Sequence, residues 1–466
     1  MPPIQREPPL ASAGRLHARA WQVAVIGMGT AVTQLDTSVN VAFPAITRAF
    51  ALAIGDIQWV VISYVLTYAS LLLALGRIGD TVGHTRVFRI GLACSAVALL
   101  LVGFSSSYGA LLFFRCLQGV GAALVLSCGA ALVTSLYGEE RRSHALGIYT
   151  MMFSLGVTIG PLLGGALTAA WDWPAVFWFR VPIAIVALAL LRGMPKGSAR
   201  QTGDRFDLFG GLALVLAQVA MLAAINRIRE LSAIWFALAS AIAFATFIFR
   251  ETRAQRPIIA VGLLGQPGFA LLNLASVAAN LAAFSIWLLV PYFLSRVPGI
   301  SLAESGAFLA AAAAGAVLAA PIGGRLVGRI ISAERLAMAG AAAIGAGLLW
   351  LSTWTEQTPA LLRVASLAVQ GIGVGLFQLA YSDIVTAALP LRDRGVAGSL
   401  VLLTRTLGTV TAASVVLMLF EIQNASDGFA EAFNRTFQMA AMLAFASAAL
   451  LALSPRVRNP PANMPS

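Results

Sequence analysis

Four titratable or strongly polar side chains stand where a chain built for lipid should have none. Asp36 and Asn40 lie in QLDTSVNVAFPAI (Gln34–Ile46), and Arg115 and Gln118 lie in LFFRCLQGVGAAL (Leu112–Leu124). Further along, YSDIV carries Asp383, and Arg405 follows in the next apolar run. A charge at membrane depth costs at least ~2.5–3.5 kcal/mol on insertion scales, so it persists only beside a partner or a wet cavity. A lone carboxyl in low dielectric favours its protonated form, and can therefore take up and release a proton near neutrality. That is the chemistry of ion coupling. We expect it at Asp36, and at Asp383 with Arg405 as a candidate partner; the alternative is that each carboxylate is half of a static ion pair.

The elements that position these groups are long apolar helices. The chain has 466 residues, 59% of them hydrophobic and 11% charged, with mean hydropathy +0.85. A soluble domain carries about 25% charged residues. About 20 apolar residues cross the hydrocarbon layer, and lipid leaves backbone groups no partner but the helix itself. Spans are expected near 20–47, 57–79, 87–105, 108–136, 143–169, 174–193, 207–227, 231–250, 268–295, 303–326, 333–354, 360–388, 396–420 and 430–453, which makes an all-α polytopic membrane protein of fourteen helices. Arginines concentrate on alternate connections, at Arg77, Arg86, Arg141, Arg142, Arg253, Arg329 and Arg392, which places both termini in the cytoplasm. The net charge of +12 is then a topology signal, and no nucleic-acid partner is expected. Cys94, Cys116 and Cys128 all fall in apolar stretches and read as small buried residues. No phosphate-binding loop, metal-ligand spacing or cofactor motif appears, which leaves the proton gradient as the energy source.

The sequence repeats itself. LQGVGAALVL (Leu117–Leu126) returns as VQGIGVGLFQ (Val369–Gln378), GRIG at Gly76 as GRLVG at Gly324, and SLG ending at Gly156 as TLG ending at Gly408. Each match skips eight expected helices where two six-helix halves would skip six. The layout is therefore a tail (1–19), six helices (20–193), a linker with an inserted pair (194–257), six helices (258–453) and a tail (454–466). Duplicated halves of this kind are the build of secondary transporters, with the substrate path between them. The aromatic and polar side chains Tyr64, Gln118, Phe153, Trp287, Phe377 and Tyr381 are candidates to line it.

Four motifs in order carry a resemblance over nearly the whole chain. GRIGDTVGHTR (Gly76–Arg86) follows the second span, Arg115 and Gln118 begin RCLQGVGAA, GVTIGPLLGG (Gly156–Gly165) lies in the fifth span, and the LDTSVNVAFP run holds Asp36. Together they resemble the major facilitator superfamily, and within it the fourteen-helix drug:proton antiporters. The resemblance implies two helical bundles rocking about a central cavity, with proton-coupled efflux of amphipathic or hydrophobic compounds. It implies a cytoplasmic gate at Gly76, Asp80, Gly83 and Arg86, an exporter's helix motif at Gly156, Gly160, Pro161, Gly164 and Gly165, and proton exchange at Asp36 and Arg115. The expected partners are a small-molecule substrate, protons and lipid, for a monomer. The lone lysine, Lys196, among so many arginines suggests a GC-rich genome, hence a bacterial inner membrane. A dedicated exporter or importer of one metabolite, siderophore or antibiotic is the alternative. The chain departs from the pattern at His84 and Thr85, where basic residues are usual, in a shorter spacing from Asp36 to Pro44, and at Arg180, where asparagine is usual before Pro182. Arg180 is expected to add a cation near the outer cavity and to disfavour cationic substrates.

Overall fold

A computed structural model of the chain describes residues 9–135, 139–193, 208–226, 231–253, 266–327, 329–388 and 394–453. Apart from one isolated bridge, Val327 to Ile331, its regular structure is helical. In order these are α1 (Pro9–Gln34), a 3-10 turn (Leu35–Thr37), α2 (Ser38–Val41), α3 (Phe43–Ala49), a second 3-10 turn (Ile54–Ile57), α4 (Gln58–Val82), α5 (His84–Gly103), α6 (Tyr108–Ser135) and α7 (Glu139–Trp171). Then come α8 (Ala175–Trp178), α9 (Arg180–Leu191), α10 (Leu208–Asn226), α11 (Ser232–Glu251), α12 (Pro267–Leu294), α13 (Leu302–Leu326), α14 (Ala333–Leu351), α15 (Ala360–Ala388), α16 (Arg394–Asp427) and α17 (Phe429–Leu453).

Among the described residues, eleven helices are long and apolar enough to cross a membrane. The other three expected spans fall on the α1–α3 run, on the short α8–α9 pair and on α10. The expectation of one unbroken first span is corrected. Its helix stops at Gln34, tightens to a 3-10 turn at Leu35–Thr37 and restarts twice before Ala49. Pro44 opens α3, where a missing backbone donor is harmless. By contrast α7 runs through Pro161 as one helix.

The internal repeat is a packing instruction. A Cβ on Gly119 would press on Tyr64 and Thr67 of α4, and one on Gly121 on Ser95 of α5. The matching glycines of the second half do the same: Gly371 backs onto Ala312 of α13, and Gly373 onto Gly340 and Ile344 of α14. Helices in lipid associate through close backbone approach, because lipid tails are as apolar as the side chains. So each QGxG run seats its helix between two neighbours at a spacing only glycine permits. Gly83, between α4 and α5, has φ +101°, a conformation that strains any other residue. The helices α10 and α11 pack on each other, and α10 reaches both α4 and α16.

Two bundles meet at the end of the molecule where α3, α7, α12 and α16 finish. Thr47 and Tyr292 share a hydrogen bond at 2.5 Å, and Gly55 N–H donates to Glu421 Oε1 at 2.7 Å. Beside them α7 and α13 touch backbone to backbone at Gly165 and Gly306. Tyr292→Phe removes one of these ties, a loss of about 1 kcal/mol. We expect it to speed disulfide trapping of the state separated at this end by a few-fold, and an unchanged trapping rate would show the bond idle.

Candidate functional site

The interruption in the first span exists to present one carboxylate. Asp36 sits in the 3-10 turn, and three side chains from two other helices close on it. Arg115 Nη1 and Nη2 donate to Asp36 Oδ1 and Oδ2 at 2.7 and 3.0 Å, a two-pronged grip. Gln118 Nε2 donates to Oδ1 at 2.9 Å, and Gln118 Oε1 accepts from Arg115 Nη1 at 2.9 Å. Arg180 Nη1 donates to the same Oδ1 at 2.8 Å. The guanidiniums are 2% and 0% exposed and the carboxylate 14%. One turn of α6 separates Arg115 from Gln118, so both fall on one face.

The cluster is anchored outward as well. Arg115 Nε donates to the Val60 carbonyl at 3.0 Å, and Arg180 Nε to Val176 at 3.1 Å. Arg115 lies over the Tyr64 ring at 4.4 Å, and Phe177 lies near both guanidiniums. Tyr64 packs at a tilt against Tyr68 one turn on, with ring centroids 5.2 Å apart. An arginine's fork matches a carboxylate's two oxygens, and a desolvated ring face adds cation–π attraction. One donor, Arg180 Nη2, is buried with no partner.

Three expectations are corrected here. Asp36 is no lone acid; two cations hold it. Arg180 is not a free cation at a cavity edge; it is buried in the knot, and the sequence signal for it was the unusual arginine before Pro182. Asp383 and Arg405 are not brought together. Both are exposed, no ion pair joins them, and Asp383 lies five residues from the end of α15, close to its terminus rather than at mid-depth. The helix that carries Arg405, α16, packs instead against α4 of the other bundle.

The glycine motif of α7 braces the interrupted segment. Gly156, Gly160 and Gly164 back onto Gln34, Thr37 and Ser38, and Thr37 Oγ1 donates to the Val157 carbonyl at 3.1 Å. Gly165, with the Pro161 carbonyl, faces Gly306 of the second bundle instead. One run of α7 therefore grips the carboxylate's turn on one face and the opposite bundle on another. Of the expected cavity residues, Tyr64 and Gln118 belong to the knot, and Phe153 and Trp287 are half-buried. Phe377 and Tyr381 are buried inside the second bundle. Tyr381 donates to Asn273 Oδ1 at 2.8 Å and shares a bond with Thr404, a neutral polar network that pattern reading missed because each member is uncharged. At the expected gate Gly83 precedes α5 and Arg86 lies in its first turn, while the surroundings of Gly76 and of the Asp80 side chain lie outside what is described. An apolar cleft of about 540 Å³ runs between α1, α7 and α9, walled by Trp21, Met28, Leu35, Met152, Ile159 and Ile183. Its lining includes Leu35, the chain neighbour of Asp36.

This architecture matches known proteins. The profile of the Major Facilitator Superfamily covers residues 25–272 and 272–465. The chain belongs to the major facilitator superfamily. It is a multi-pass integral membrane protein and a transporter, of a superfamily whose members bind small-molecule substrates. It is 29% identical to the multidrug resistance protein Stp of Mycobacterium tuberculosis, over 84% of this chain and 74% of that protein. It is 32% identical to the cephamycin export protein CmcT of Amycolatopsis lactamdurans, over 82% of this chain and 81% of that one. A crystal structure of a bacterial homologue of the human lysosomal transporter Spinster, inward-facing and unoccupied, superposes with TM-score 0.68 at 18% identity, covering 95% of this chain and 99% of that one. That likeness shows the superfamily fold.

Proposed function

We propose that this chain is a fourteen-helix drug:proton antiporter of a bacterial inner membrane, with both termini cytoplasmic, exporting amphipathic or hydrophobic small molecules by alternating access. The observation that carries the reading is a buried acid–base knot at a helix interruption, Asp36 with Arg115, Gln118 and Arg180. A packing role alone would not need a carboxylate in a broken turn. The apolar cleft beside it offers room for a drug-sized apolar body, in the usual range of about 300–1,000 Å³.

In the mechanism we favour, ionised Asp36 ties the interrupted first span to α6 and α9. When the turn carrying Asp36 draws away from the guanidiniums, its carboxyl becomes a lone acid that takes up a proton, and the proton keeps the knot open. The short α2 and α3 then move without unwinding a long helix, and α7 passes the displacement to the Gly165–Gly306 seam. Proton-loaded and substrate-loaded proteins thereby prefer different conformations, which is what exchange requires. The seams at Thr47, Gly55 and Gly165 would close the outer side, leaving the space between the bundles open to the cytoplasm. The membrane potential supplies ~2.3 kcal/mol per charge per 100 mV, and a pH difference adds to it.

The test is export of lipophilic dyes from proteoliposomes holding the full chain, with an imposed proton gradient and with an uncoupler. Gradient-dependent movement that the uncoupler abolishes supports the reading; movement indifferent to protons overturns the coupling. A relative named for one antibiotic class keeps a dedicated exporter in view, and a substrate panel separates it from multidrug efflux.

A further inference from the structure

Around the Tyr64–Tyr68 ladder stand three guanidiniums and one carboxylate. Arg115 and Arg180 share Asp36, so the knot keeps one positive charge in excess. Arg405 adds another from the second bundle, exposed and unpaired on α16, which packs against α4. Arg115 lies over Tyr64, Tyr64 touches Tyr68, and α4, which carries both tyrosines, packs against α16, which carries Arg405, so the ladder runs between the two cationic groups. Arg180 is fully buried and yet leaves Nη2 without an acceptor. Buried donors of charged groups are costly to leave unmade, and an arginine that could have been asparagine or leucine carries that cost here. No described carboxylate at this depth balances the excess. Asp383 stands near the end of α15, apart from Arg405.

We infer that Arg180 and Arg405 make this transporter select against cations, so that its substrates are uncharged or acidic amphiphiles presenting an oxygen acceptor to the guanidiniums. The inference rests on the exporter reading and names its substrate class. Its physical basis is simple. In a site partly screened from water an unpaired guanidinium repels a cationic ligand and attracts an oxygen acceptor or an anion, and both effects strengthen as water is excluded. Arg405 is the group a ligand reaches first, being exposed between the bundles. Arg180 sets the sign of the potential behind it.

The experiment compares two dyes on one xanthene frame, a sulfonated rhodamine of net negative charge and a cationic rhodamine ester. Each is followed in proteoliposomes under a proton gradient, and by fluorescence polarisation against the full chain in detergent. We expect the wild type to bind and export the anionic dye and to reject the cationic one. Arg405→Gln is expected to reduce the preference about tenfold, the size of one charge-assisted contact. Arg180→Gln should admit the cationic ester, whereas Arg180→Lys should keep it out. Arg405 is exposed, so its variant tests the idea even if Arg180→Gln fails to fold. Equal binding of both dyes by the wild type, or an unchanged preference in Arg405→Gln, overturns the inference while leaving export untouched. Preferential binding of the anion with no gradient-driven movement of either dye does the reverse: it sinks the exporter reading and keeps the charge selection.

Discussion

Asp36→Ala is expected to abolish gradient-driven transport and to destabilise the protein by about 3–5 kcal/mol, the usual consequence of removing one partner from a buried ion pair. The large figure does not measure how much the knot stabilises the fold. It measures what is left behind: two guanidiniums, 2% and 0% exposed, facing each other with no anion between them. Their remaining bonds to Val60, Val176 and Gln118 satisfy donors without neutralising charge. Combining Asp36→Ala with Arg115→Met and Arg180→Leu should therefore recover most of the stability, since apolar residues of similar volume often replace a buried ionic group at no cost. Transport should stay absent. Unfolding of the purified protein in detergent and dye export in proteoliposomes read the two halves of the claim. Export at the wild-type level by Asp36→Asn would remove Asp36 from the coupling scheme. A cost under about 1 kcal/mol for Asp36→Ala would mean that water reaches the guanidiniums freely.

The second large effect concerns two glycines that look alike locally. A Cβ at Gly165 would overlap the Leu302 carbonyl, and one at Gly371 would overlap the Ala312 carbonyl. Overpacking of this sort costs about 1–3 kcal/mol. The difference lies in what can yield. Gly371 and Ala312 belong to the same bundle, on α15 and α13, so Gly371→Val can be relieved only by distorting that bundle, and we expect a lower melting temperature with little change in conformational preference. Gly165 faces α13 across the seam between bundles, so Gly165→Val is relieved when the bundles part. We expect it to shift the population toward the separated state about tenfold or more, as 1.4 kcal/mol per decade requires. Cysteines replacing Thr47 and Tyr292, in a background without Cys94, Cys116 and Cys128, should cross-link readily in the parent and poorly with Gly165→Val. Equal cross-linking in the two would show that this seam does not report the state of the transporter.

The seams also explain why the repeat is imperfect. Gly119 and Gly121 recur as Gly371 and Gly373 because both bundles need the same internal spacing. The α7 motif has no such copy at Gly408. There the glycine backs onto Asn280 and Val277 of its own bundle, without the proline and paired glycines. The first half alone must brace an interrupted helix.

Composition, charge alternation and the recurring QGxG runs suffice to read helices, the duplicated halves and a membrane setting. Each of these is a local or periodic property: apolar length answers to bilayer thickness, and close-packed helices demand small residues wherever they occur. Asp36, Arg115 and Gln118 were visible for the same reason, as charges where lipid tolerates none. Pairing is another matter. Asp36 and Arg180 are 144 positions apart and meet at 2.8 Å only because α1 is broken and α9 begins beside it. Asp383 and Arg405 are near in sequence, yet both are exposed and no ion pair joins them. Whether a membrane carboxylate is lone or doubly held depends on the rotation of three helices about their axes. Many combinations of rotation satisfy the same apolar pattern, and tertiary packing alone chooses among them.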